Sequence, residues 1–281
     1  MGVKLINFLF ILLLLSGCNP SNRQNQPSTS SGEANNRVEF HAFQQLLDGA
    51  SVKGAILVYN AREETLLSND FSWCQQGHLP ASTFKIPNTI IALETGVANE
   101  QTLFPWDGQE RALDAWEQDL NLREAFHFSC VPCYQEIARK VGSEQMKLWL
   151  DKLSYGTMDV RHENIDRFWL EGNSKINPFQ QVDFLRRFYF KELPITDQTH
   201  HLMKQIMVIE SQNDWTLSGK TGWSIREGHN TGWFVGYLEK GGEVYFIATC
   251  IQPTEAFNMD MFNIIRRQIS LEAFRVMEVI Q

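Results

Sequence analysis

No run or stripe of basic residues occurs in this 281-residue chain, whose formal charge is −8, so it carries no electrostatic footprint for nucleic acid. H-E-x-x-H is absent. The single C-x-x-C, Cys130 with Cys133, has no second such pair and no set of histidines around it to complete a zinc site. Internal repeats are also lacking. The one long apolar run, Phe8 to Leu15, is too short to span a bilayer permanently. What remains is 43% hydrophobic, ample for one domain with a large core and too short for two.

Lys4, the apolar run and the small residues Ser16-Gly17 before Cys18 make residues 1–17 a signal peptide. The Ser-Gly-Cys ending resembles a bacterial lipoprotein processing site. Cys18 would then become the lipidated first residue of the mature chain, held to a membrane by buried acyl groups. Residues 18–37 are rich in Ser, Asn, Gln and Pro and form a flexible tether reaching roughly 25 Å on average. The expected location is the bacterial cell envelope, lipid-anchored and facing the periplasm. Export permits disulfides. Cys74, Cys130, Cys133 and Cys250 are available for them, and their spacing leaves the pairing open.

The folded domain is expected over 38–281. Gly54 to Tyr59 reads as a buried strand with Glu64 to Leu67 as its hairpin partner. Thr83–Leu93, Gln135–Val141, Glu144–Leu153, Gln181–Phe190 and Asp197–Ile209 have helical spacing, the last with Thr196 as N-cap. Thr216–Gly219, Gly232–Leu238 and Glu243–Ile251 read as strands, and Met261–Val279 as a closing helix. Strands at both chain ends with helices between them predict an α+β domain. A central antiparallel sheet from both ends would be flanked by helices and carry an inserted helical region.

Three short motifs carry chemistry. Ser82 and Lys85 stand at i, i+3; with a helix starting near Ser82, both lie on one face, and a base beside a hydroxyl makes a nucleophile. Lys220-Thr221-Gly222 offers a cation, a hydroxyl and a backbone a ligand can approach closely. Ser129-Cys130-Val131 precedes a helix, and Ser129 can relay a proton to a leaving nitrogen. Taken singly, each also fits a helix cap or a turn. Their order, serine–lysine first and K-T-G last, is that of penicillin-recognising serine enzymes.

The context resembles the class D, or oxacillinase-type, serine β-lactamases. The matching segments are Pro80-Ala81-Ser82-Thr83-Phe84-Lys85-Ile86-Pro87-Asn88, Trp106-Asp107-Gly108, Tyr155-Gly156, Phe168-Trp169-Leu170-Glu171-Gly172, Lys220-Thr221-Gly222-Trp223 and Gly232-Trp233-Phe234-Val235-Gly236. The resemblance implies β-lactam hydrolysis through a Ser82 acyl-enzyme, with Lys85 carboxylated by CO₂ as general base for both half-reactions and no other cofactor or metal. It implies that Trp169 holds the carboxylated lysine and Ser129 relays a proton. Val131, Leu170, Tyr155, Lys220, Thr221, Gly222 and Trp223 would line the substrate site, and Arg266, chosen over Arg267, would assist with the substrate carboxylate. Two departures stand out: Thr157 replaces the usual Asn after Tyr-Gly, and the segment Thr254 to Asn263 blurs the alignment of that arginine.

Physical chemistry supports a modified lysine. Apolar walls from Phe84, Val131, Trp169 and Leu170 would disfavour an ammonium. Bringing its pKa from about 10.4 to about 7 takes roughly 4–5 kcal/mol, and the neutral amine can then react with CO₂. Glu171 is the rival base. The alternatives are a β-lactam sensor that acylates without turnover and a D,D-peptidase. Expected partners are β-lactam small molecules and, through the lipid, a membrane, with no nucleic acid; the chain would be a monomer or homodimer.

Overall fold

The computed structural model describes residues 36–281 and Gly2. The signal peptide, Cys18 and nearly all of the tether lie outside the described residues. In chain order come β1 (Asn36–Glu39), α1 (His41–Gly49), β2 (Val52–Asn60), β3 (Thr65–Ser68) and α2 (Lys85–Glu94). Next are the short β4 (Leu103–Phe104) and β5 (Leu120–Asn121), then α3 (Leu122–His127), α4 (Val131–Val141), α5 (Ser143–Leu153), α6 (Pro178–Tyr189) and α7 (Asp197–Met207). The chain closes with β6 (Val208–Ser211), β7 (Trp215–Arg226), β8 (His229–Lys240), β9 (Glu243–Pro253) and α8 (Phe262–Val276).

Seven strands form one sheet in the order β1-β3-β2-β9-β8-β7-β6. The two ends of the chain build the sheet and the middle supplies helices, as the pattern implies. The ladder is antiparallel except at one edge, where β1 runs parallel to β3. The expected α+β domain with its central sheet from both chain ends is present, with this one parallel pair making the sheet mixed. Helix α1 and β2 intervene between the two strands, and parallel pairing needs such a long crossover.

Strands β7 and β8 extend well beyond their expected bounds because glycines interrupt their apolar pattern. Gly219 faces Gly236 across the ladder. A Cβ on Gly236 would lie 2.1 Å from Ser218 O, so only glycine admits this close approach of backbones.

The period-2 alternation of β9 divides the core. Phe246, Ala248 and Cys250 face the layer of α2, α4, α5, α6 and α7, with Trp169, Tyr134 and Phe184. Tyr245, Ile247 and Ile251 face α1 and α8, with Phe43, Phe262 and Phe274. Each fully buried large side chain contributes about 1.5–3 kcal/mol. Thr196 caps α7, its hydroxyl accepting from Thr199 N–H. Among the described residues no helix is long and apolar enough to cross a membrane. Cys130 is bonded to Cys133, and Cys74 and Cys250 are buried free thiols.

Candidate active site

The nucleophile turn sits where the helical layer meets β7. Ala81–Phe84 is a 3₁₀ turn and α2 starts only at Lys85, which corrects the expected helix start at Ser82. In a 3₁₀ turn, side chains at i and i+3 eclipse. The tighter winding therefore still brings the pair together: Lys85 Nζ and Ser82 Oγ are 3.2 Å apart. Ala81 takes a left-handed φ of 49°, and its N–H donates to Trp169 O at 2.9 Å. Thr83 is fixed by a buried polar chain: Tyr155 OH donates to Gln181 Oε1, Gln181 Nε2 donates to Thr83 Oγ1, and Thr83 Oγ1 donates to Pro80 O.

Lys85 is 0% exposed. Desolvation, reinforced by the nearby Lys220 cation, holds its pKa well below the ordinary lysine range. Phe84 stacks on Trp169 with centroids 5.3 Å apart. The Tyr134 ring lies 4.8 Å from Lys85 Nζ. Sequence reasoning missed Tyr134; its signal was a position one helical turn past Cys130. Trp169 is 0% exposed, and its Nε1–H is buried without a partner, as is Asn88 Oδ1. A donor left unpaired on the ring that stacks on Phe84, the residue before Lys85, fits an anionic group on the Lys85 amine.

Ser129 joins α3 to α4 with φ 57°, half-buried. The cap of α4 is Cys130, whose Sγ accepts from Cys133 N–H at 3.2 Å, so the Ser129 hydroxyl is not spent on capping. Helix α3 begins with a capping box of Asn121 and Glu124, a signal present in the sequence and unused. The N–H of Ser129 donates to Phe126 O, and the Phe126 ring lies 5.8 Å from Lys220 Nζ. Val131 opens α4, half-buried.

Lys220, Thr221 and Gly222 lie inside β7, paired with Val235, Phe234 and Trp233. A Cβ on Gly222 would sit 3.0 Å from Pro80 O and 3.1 Å from Thr83 Cγ2, so glycine lets the strand pack against the nucleophile turn. Lys220 is 4% exposed, and burial, then the charge of Arg266, lowers its pKa to about 7. Trp223 is partly exposed, its Nε1 donating to Asn230 Oδ1.

Several expected site residues turn out differently. Tyr155 is not free to touch substrate: it is 2% exposed, its hydroxyl is committed to Gln181, and its ring packs against Phe84 and Phe184. It supports the nucleophile turn through the core. Arg266 is 3% exposed, and burial lowers its pKa to about 10. It donates to Gly222 O at 2.6 Å, Phe262 O at 2.9 Å, and both Asn263 O and Oδ1. It thus braces the K-T-G backbone. Arg267 is exposed. Leu170 is half-buried against the core. Glu171 points away, its carboxylate paired with Arg167 at 2.8 Å. Thr157 exchanges both backbone bonds with Lys175, so the main chain, and not its side chain, holds that loop.

The sheet between two helical layers and the serine–lysine pair facing K-T-G define a penicillin-binding transpeptidase domain. The family model of that description matches residues 50–269, and the chain belongs to this family. Within it the chain is a class D serine β-lactamase. It is 38% identical to the β-lactamase OXA-10 of Pseudomonas aeruginosa over 239 residues, covering 84% of this chain and 86% of that one. To OXA-48 of Klebsiella pneumoniae it is 38% identical over 210 residues, covering 74% and 76%. Among solved structures, a class D β-lactamase from Nostoc matches with TM-score 0.80 and 39% identity over 84% of this chain and 98% of that one. One from Sebaldella termitidis matches with TM-score 0.83 and 34% identity over 88% and 100%.

Proposed function

We propose that the protein hydrolyses β-lactams through an ester on Ser82, with carboxylated Lys85 as general base. The carrying observation is a fully buried lysine, without a carboxylate partner among the described residues, 3.2 Å from the serine hydroxyl. When CO₂ is bound on that amine, it supplies a base for both acylation and deacylation; the buried Trp169 Nε1–H, unpaired among the described residues, supports Trp169 as its donor. Ser82 Oγ attacks the lactam carbonyl, and the N–H groups of Ser82 and Trp223 receive the developing oxyanion. Ser129 gives a proton to the departing nitrogen. Lys220 and Thr221 hold the substrate carboxylate, with Arg266 acting through the backbone it braces. Val131 and Leu170 keep water away from Lys85 until deacylation.

Cys18 carries the lipid that keeps the enzyme at the envelope membrane, facing the periplasm; radiolabelled palmitate incorporation that vanishes in Cys18→Ala tests this. The chemistry is tested with a chromogenic cephalosporin. Steady turnover that falls when bicarbonate is stripped and returns when it is restored is the expected result. One stoichiometric burst followed by silence would make the protein a sensor, and indifference to bicarbonate would remove the lysine modification.

A further inference from the structure

We infer that the Cys130–Cys133 disulfide is a positioning element for the proton-relay serine. It rests on the role proposed for Ser129, and it concerns residues next to that serine that carry no chemistry themselves. The bond joins the residue directly after Ser129 to the first turn of α4, with Cα atoms 5.5 Å apart. Both cysteines are buried, at 2% and 7% exposure.

A cross-link between residues three apart closes almost the shortest loop a chain allows. Loop-closure entropy removed from the unfolded chain grows with loop length, so this bond does less for global stability than a pairing across the fold would. What it constrains is local. Ser129 is held in the left-handed region, φ 57°, which a residue with a Cβ visits only when its surroundings impose it.

The surroundings on its N-terminal side are two backbone bonds, Ser129 N–H to Phe126 O at 3.1 Å and Cys130 N–H to Ala125 O at 2.9 Å. On the C-terminal side the backbone bond is weak, Tyr134 N–H to Cys130 O at 3.4 Å. The disulfide makes up that deficit. It fixes Cys130 to α4, and Cys130 Sγ also accepts from Cys133 N–H, replacing the hydroxyl cap that Ser129 would otherwise be drawn into. The same helix carries Tyr134, whose ring faces Lys85. The covalent clamp therefore sets the relay hydroxyl against the first turn of α4, while the body of that helix holds Tyr134 in the core without it.

The test is a cycle of four purified full-length proteins: wild type, Cys130→Ala/Cys133→Val, Ser129→Ala, and the triple variant. The two replacements keep apolar volume and remove the bond. Stopped-flow acylation, deacylation and thermal melting are recorded for each with one penicillin. Ser129→Ala is expected to slow acylation on the order of a hundredfold. Loss of the disulfide is expected to slow acylation roughly tenfold through misplacement of that hydroxyl. Deacylation should stay within about twofold of wild type, because the group that departs then is Ser82 Oγ, which regains its proton from the base on Lys85, and not the nitrogen that Ser129 serves. In the Ser129→Ala background, removing the disulfide should change acylation no further.

Wild-type acylation in a folded Cys130→Ala/Cys133→Val protein would overturn the inference. So would equal losses in acylation and deacylation accompanied by a lowered melting temperature, which mark general loosening. Full acylation by Ser129→Ala would instead overturn the role given to Ser129. Dithiothreitol provides a check without mutation: each equivalent reduces the bond to two thiols and becomes its own cyclic disulfide. It should slow acylation by wild type and leave the double variant unaffected.

Discussion

Two buried cations of the cleft, Lys85 and Arg266, are held in opposite ways. On the helical side, Lys85 has no ion-pair partner among the described residues, and Trp169 Nε1 and Asn88 Oδ1 are unpaired. On the sheet side, Lys220 sits in an in-register ladder, and the Arg266 guanidinium is engaged by Gly222, Phe262 and Asn263. Buried groups left unsatisfied cost free energy, so a lysine buried without a counter-charge 3.2 Å from the serine marks where protons and charge change during turnover. The fully engaged guanidinium of Arg266 marks a frame that holds still while substrate is gripped.

The contrast breaks most visibly at Lys85. Lys85→Ala should abolish acylation and deacylation together, a loss of about four orders of magnitude in kcat/KM; normal acylation in stopped flow would show that the base lies elsewhere. Trp169→Phe, which keeps an aromatic wall and deletes the N–H, should slow deacylation by roughly ten- to a hundredfold while acylation changes less, since one charge-assisted hydrogen bond is lost. Equal slowing of both would deny Trp169 a distinct part.

Arg266→Ala should show the sheet side as frame. Unfolding free energy should fall by about 1–3 kcal/mol as Gly222 O loses its donor, read by urea titration, with KM rising more than kcat falls.

The pH profile sharpens the comparison. Both lysines have pKa values lowered by burial, so the folded protein binds fewer protons than the unfolded chain above the folded pKa. For Lys220, the stability cost of charge is fully present below about 7 and is relieved as pH rises toward the unfolded lysine value. Substrate grip runs the other way: KM for an anionic β-lactam should rise as Lys220 loses its proton. An anion on Lys85 would move that rise to higher pH, so bicarbonate should shift it upward. Lys220→Arg should flatten it. The smallest effect belongs to Glu171→Gln, which removes only an exposed pair with Arg167 worth about 0–1 kcal/mol. Its kcat should remain within about twofold of wild type; a collapse would reinstate Glu171 as the base.

The residues that react are legible in the sequence because their spacing is fixed by chemistry. Ser82 and Lys85 must meet, and i, i+3 permits this in either helix type, so mistaking a 3₁₀ turn for the start of α2 does not separate them. What was not legible is support. Tyr155 reads as a pocket residue, yet its hydroxyl goes to Gln181 on α6, a partner 26 residues away that no local pattern announces. Tyr134 reads as one aromatic among many on an amphipathic helix until the fold turns it over Lys85. Glycines hid the full length of β7 and β8 for the reason that they are needed there, since the backbones approach too closely for a Cβ. The bond between Cys130 and Cys133 is one of six pairs that Cys74, Cys130, Cys133 and Cys250 could form, and only geometry selects it.

The two sulfhydryls left over, Cys74 and Cys250, are both 0% exposed in the layer between sheet and helices, and burial raises the Cys74 pKa to about 12. Thiolate is the form that alkylates. Iodoacetamide therefore labels neither of these two until sheet and helical layer part, and the rate of mass gain at these positions becomes a clock for the opening of the core, readable on native enzyme with and without antibiotic bound.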